Sequence, residues 1–150
     1  MANNDVVSTL NNLIETCKDG EEGFRKCAED IGAPDLKQMF MNRAQTCAES
    51  AQELQQCVLA YGGNPETSSS VSGSLHRRWV DLKTAVTGNT DQATLEEIER
   101  GEDVALESYR KALDKELPAD VRAIVEKQYQ GVKKNHDQVR RLRDQARAQS

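Results

Sequence analysis

Apolar residues recur three and four positions apart over four long stretches of this chain, the spacing of helices that each bury one face. The first stretch carries Val7, Leu10, Ile14, Cys17, Phe24, Ala28 and Ile31 and predicts a helix over about 5–31. Glu21 is the one charged member of its stripe. Gly20 and Gly23 sit inside it, and each weakens a helix by about 0.5–1 kcal/mol relative to Ala. Gly32, Ala33 and Pro34 end it, with Pro34 suited to the first turn of the next helix and Asp35 to that helix's positive end. The second stretch is Phe40, Ala44, Cys47, Ala51, Leu54, Val58 and Tyr61, flanked by Leu36 and Arg43, and predicts a helix over about 35–61. Gly62, Gly63, Asn64 and Pro65 stop it.

A polar linker, ETSSSVSGS, follows over 66–74. Leu75, Trp79, Leu82 and Val86 then share one face of a short amphipathic helix predicted over 75–87. Trp79 is expected to anchor this crossover on the bundle, because one indole buries much area. His76, Arg77 and Arg78 beside it make a basic cluster, read as a solvated face. The third long stretch, Leu95, Ile98, Ala105, Tyr109 and Ala112, predicts a helix over about 91–117, capped by Thr90 or Asp91. Glu102 fills the stripe position between Ile98 and Ala105, and a buried acid is costly unless it is paired or binds something. After a tight turn at Leu117–Asp120, the last stripe is Val121, Val125, Gln128, Val132, Asn135, Val139 and Leu142, with Ile124 and His136 beside it. It predicts a helix over 119–147 whose polar tail frays.

This is an all-α chain, a single four-helix-bundle domain over 1–150. Short loops make antiparallel neighbours, so the first two helices form one hairpin and the last two another. The long middle connection can cross the length of the bundle, which is the ferritin-like arrangement rather than the up-down-up-down one.

Composition narrows the function classes. The chain has 150 residues, 37% apolar and 30% charged, with aromatics at only 4%, which fits an amphipathic helical protein. The net charge of -5 argues against nucleic acid as a partner. No apolar run approaches the ~20 residues of a membrane span, and the N-terminus lacks a basic segment followed by an apolar core, so a cytoplasmic location is expected. Four cysteines then read as reduced thiols.

The segments LNNLIETCKDGEEGF, GGNPETSSSVSGSLHRRWVDLKTAVTG, ERGEDVALESYRKAL and QYQGVKKNHDQVRRLRD resemble an uncharacterised bacterial family of four-helix-bundle proteins, a domain of unknown function in the ferritin-like superfamily. The resemblance covers essentially the whole chain. It rests on Trp79 within LHRRWVDLK, the acidic run Glu99–Asp103, and His136 followed by Asp137. It implies the bundle fold, a cytosolic bacterial setting and a stress association, with no established activity. The wider superfamily implies a di-metal centre, with one Glu on each of two helices and Glu-x-x-His on each of the others. This chain has no Glu-x-x-His: the residue three before His136 is Lys133, and the second helix offers Arg43 and Cys47 where acids are wanted.

Levels within the hairpins bring the remaining candidates together. Facing residues of the first hairpin place Cys17 and Cys47 within about 3 Å of one level. Facing residues of the second bring Glu102 near His136, with Glu99 an alternative partner for that histidine. If the hairpins pack in register, the middle layer holds two thiols, a carboxylate and an imidazole, which are plausible ligands for a transition metal such as Zn, Fe or Cu. The bland reading is packing plus a satisfied polar pair, with no cofactor. Cys27 and Cys57 repeat the spacing but fall at opposite ends of the hairpin. Arg43 is expected to pair with Glu21 or Glu22, and the core-facing amides Gln128 and Asn135 to fix register. The basic run Lys133, Lys134, Arg140, Arg141, Arg143 and Arg147 could dock on the acidic third helix of another subunit.

Two function classes stay open. One is a non-enzymatic, stress-associated bundle that binds a protein partner or itself, as a homodimer. The other is a metal-binding or redox protein using Cys17, Cys47, Glu102 and His136. An oxygenase-like enzyme is the least supported, for want of the carboxylate–histidine set.

Overall fold

The computed structural model describes residues 3–67 and 90–148. Helix α1 spans Asn3–Asp30, α2 Pro34–Ala60, α3 Thr90–Leu113 and α4 Ala119–Ala148. The predicted short helix over 75–87, with Trp79, His76, Arg77 and Arg78, lies outside the described residues.

Helix ends follow local chemistry. Ala33 is extended, with φ -75° and ψ 121°, and Pro34 opens α2 in the first turn, where its missing N–H costs nothing. At the other end Gly62 takes φ 79°. There the N–H of Gly62 donates to the carbonyl of Leu59 and that of Gly63 to Val58, the paired bonds of a Schellman cap. The third helix stops at Leu113, four residues before the position expected from its stripe. The reason is a side chain on the next helix: Arg122 Nη2 donates to the carbonyls of Leu113, at 2.9 Å, and Lys115, at 2.6 Å, and so satisfies the end of α3 as the chain turns.

The contacts fix the topology. Along α1, Thr9 meets Lys115, Cys17 meets Tyr109, Cys27 meets Glu97 and Gly32 meets Asp91, so α3 runs antiparallel to α1. Along α2, Arg43 meets Gln138, Glu53 meets Gln128 and Tyr61 meets Asp120, so α4 runs antiparallel to α2. The end of α2 and the start of α3 therefore lie at opposite ends of the bundle. This is the ferritin-like connection, not the up-down one. Among the described residues no helix is long and apolar enough to cross a membrane.

The polar tail of α4 does not fray as expected; the helix continues to Ala148. Arg143 Nη1 donates to Glu99 Oε1 at 2.6 Å, and Arg147 Nη2 to Glu96 Oε1 at 2.7 Å. Arg143 and Arg147 of the basic run thus dock on acids of their own α3.

Candidate functional site

The apolar core comes in two pieces. One cluster gathers Val6, Leu10, Leu13, Ile14, Leu54, Val58, Ala112 and Val121 near the α3–α4 turn. The other gathers Phe24, Ile31, Phe40, Leu95, Ile98 and Val139 near the α1–α2 turn. On every helix the residues between these clusters form a polar waist, and a cavity of about 410 Å³ lies there. Cys17 and Gly20 of α1, Arg43 and Cys47 of α2, Glu102 of α3, and Gln128 and Asn135 of α4 line it. Its rim includes Glu49, Glu53, Lys127 and Gly131, so the opening lies between α2 and α4.

Gly20 lets α1 approach α2 at this level: a Cβ there would come within 3.1 Å of Cys47 Sγ. The cavity wall on one side is a relay. The Tyr109 hydroxyl donates to Gln128 Oε1 at 2.8 Å, and Gln128 Nε2 donates to Glu53 Oε1 at 2.8 Å and to the Ser50 carbonyl at 3.3 Å. The hydroxyl's one proton being committed, Cys17 Sγ, 3.2 Å away, is the donor to Tyr109. Burial pushes the Cys17 thiol up to about 11 and the Cys47 thiol well above its ordinary value, so both are neutral thiols at pH 7. Gln128 joins α4 to α3 and α2 through these bonds.

The other side of the cavity is charged. Arg43 is only 9% exposed; its Nη2 donates to Gln138 Oε1 at 2.5 Å, while its Nη1 is buried without a hydrogen bond. Glu102 is 4% exposed and its Oε1 likewise has no hydrogen-bond partner. Burial raises the Glu102 carboxyl to about 8; Arg43 opposes this, and Asp103 and Glu99 add to it. Glu102 is therefore mostly protonated at neutral pH. Of the two acids expected as partners of Arg43, Glu21 instead pairs within α1, with Arg25 at 2.7 Å and Lys18 at 3.8 Å. Those partners lie on its own helix face, three and four residues away.

A second polar cluster lies on the α3–α4 seam. His136 is buried, and its Nε2 is 2.5 Å from Asp103 Oδ1. Glu99, Asp103 and His136 offer ligand atoms within 4.8 Å of one another, the one such group among the described residues. Glu99 is already engaged by Arg143, and Arg140 is 3.8 Å from it. Glu99, the alternative partner expected for His136, belongs to this cluster; Asp103 makes the close contact and Glu102 is not part of it. One position is about 100° around a helix, so Asp103 faces α4 while Glu102 faces the bundle axis. Asp103 and Glu53 were missed: Asp103 is exposed and off the stripe, and Glu53 carries no pattern that marks it.

The structure thus divides Cys17, Cys47, Glu102 and His136 between two places: the first three line the cavity, and His136 does not. The di-metal centre that the superfamily resemblance implies does not fit these residues. Of the three acids that line the cavity, Glu49 and Glu53 belong to its rim and Glu53 accepts from Gln128; only Glu102 is buried, and the guanidinium of Arg43, another lining residue, acts on it. A divalent cation there would meet that fixed positive charge. Cys57 is half-buried on α2, and Cys27 Sγ donates to Glu97 Oε2 at 3.8 Å. All four cysteines are free.

Among solved structures, a single-substitution mutant of Mycobacterium smegmatis Dps1 is similar, with a TM-score of 0.79 and 18% sequence identity over 92% of this chain and 94% of that one. At that identity the likeness speaks to the fold, a ferritin-like bundle. No curated protein matches the chain. A family model described as a domain of unknown function, DUF2383, matches residues 5–115, from the first turns of α1 to just beyond the end of α3. The chain therefore belongs to the DUF2383 family.

Proposed function

We propose that this protein is a non-enzymatic binding protein whose site is the mid-bundle cavity, open between α2 and α4. The observation that carries this reading is a cavity of about 410 Å³ lined by two buried residues, Arg43 and Glu102, each of which has a buried polar atom, Nη1 and Oε1, without a hydrogen-bond partner. A native core leaves few such atoms, and each costs about 1–3 kcal/mol unless a ligand or water answers it. A concave, mainly apolar space with a few convergent polar groups is the usual form of a small-molecule site. The neutral thiols and the committed Tyr109 hydroxyl offer no activated nucleophile, which supports binding over catalysis. The metal-binding reading has less support, since Cys17, Cys47 and Glu102 lack His136 and share their cavity with Arg43. A cytoplasmic, stress-linked role belongs to the same proposal.

The test is thermal unfolding of the full chain against small organic probes: hexanol, phenol, benzoate and hexanoate. A ligand held only by the folded state stabilises it by about 2.7 kcal/mol at a hundredfold excess over Kd. At least one probe is expected to raise the melting temperature of the wild type and to fail on Ala105→Leu, which fills the cavity wall. If no probe distinguishes the two proteins, the cavity is not a binding site.

A further inference from the structure

We infer that the mid-bundle cavity takes a small carboxylate with an apolar body, its head seated between Arg43 and Glu102 and its body directed towards Phe24 and Val132. This rests on the cavity being a binding site, as proposed above, and adds the chemical class of what it holds. In the ferritin-like frame the centre of the bundle is where acids gather round cations. Here a guanidinium stands there, and the charge preference is inverted.

Arg43 is nearly buried and one of its arms is spent on Gln138, while Nη1 has no acceptor among the described residues. A guanidinium can only donate, so what it lacks is an acceptor, and a carboxylate oxygen is the strongest common one. Glu102 does not supply that acceptor: its Oε1 is also buried without a partner, and burial raises its carboxyl to about 8. Two buried side chains of one cavity thus each keep a polar atom without a partner, and an incoming carboxylate supplies the acceptor that Arg43 Nη1 lacks. The thiols of Cys17 and Cys47, neutral at this pH, do not oppose the anion. At the mouth Lys127 balances one of two acids, and Glu53 already accepts from Gln128. The walls contributed by Phe24, Ala105 and Val132 suit an apolar body.

Calorimetric titration of the full chain at pH 6.5 with hexanoate, hexanamide and hexanol tests this. Hexanoate is expected to bind at least tenfold more tightly than the other two. Arg43→Gln should abolish that preference, and Arg43→Lys should keep part of it. Should Arg43→Gln fail to fold by circular dichroism, the wild-type comparison still decides. Equal binding of acid, amide and alcohol overturns the carboxylate inference and leaves the cavity reading intact. Failure of all three to bind overturns both.

Discussion

Glu102 is the residue on which the middle of the bundle turns. The unfolded chain gives up its proton near the ordinary 4.5, and the folded protein gives it up near 8. Between those values the folded state holds one more proton than the unfolded state. Stability therefore falls as pH rises through that window, by up to about 1.4 kcal/mol per pH unit. The direction is opposite to that of a salt-bridged acid, because burial outweighs Arg43. Glu102→Gln keeps the shape and removes the titration. In urea unfolding at pH 5 and pH 8, the wild type is expected to lose stability relative to Glu102→Gln by on the order of 2–4 kcal/mol. Equal losses in both proteins would mean that Glu102 is ionised in the fold. The sequence showed this residue as an acid in an apolar stripe, which the period of a helix makes visible. What it could not show is the partner. A helix position is legible to about one residue, and one residue decides between lining the cavity with Arg43 and facing His136 along the seam.

At the scale of the element, α1 and α2 show how a weak helix former serves packing. Gly20 costs α1 about 1 kcal/mol of helix propensity relative to Ala. In return it lets Cys47 approach, with 3.1 Å between Sγ and the position of a Cβ on residue 20. A distance that tight needs the thiol to give by a few tenths of an ångström, and the cavity beside Cys47 provides the room. Gly20→Ala is therefore expected to stabilise the protein by about 0.5–1 kcal/mol in urea unfolding, as propensity gain exceeds a relieved contact. Cys47→Ala made alongside should leave that gain unchanged or enlarge it. A net loss in Gly20→Ala that Cys47→Ala rescues would show that the thiol is held rigidly. The element ends were legible where chemistry is local, as at Pro34 and at Gly62 with its positive φ. The end of α3 was not, because the group that terminates it, Arg122, comes from the following helix.

For the whole molecule, the division of the core into two apolar clusters around a polar waist predicts where the bundle opens first. The α1–α2 and α1–α3 edges are closed by apolar side chains from both clusters. Across the α2–α4 edge, by contrast, the cavity opens, and the bridges are polar: Arg43 to Gln138, Gln128 to Glu53, and Tyr61 to Asp120. Local opening draws on the edge with the least buried apolar contact. The four free thiols report on this without added labels, since maleimide reacts only with an accessible thiolate. Cys57, half-buried on α2, should be modified first. Cys47 should follow, at a rate set by separation of α2 from α4, because it lines the cavity. Cys17 and Cys27, at 5% and 2% exposure, should wait for global unfolding. Mass spectrometry of timed samples in low urea reads the order directly. Bound hexanoate, if the cavity holds it, should slow Cys47 and leave Cys57 unchanged, which separates occupancy of the cavity from a general tightening of the bundle. Modification of Cys27 before Cys47 would instead place the weak edge between α1 and α3 and overturn the view that the cavity mouth is where this bundle breathes.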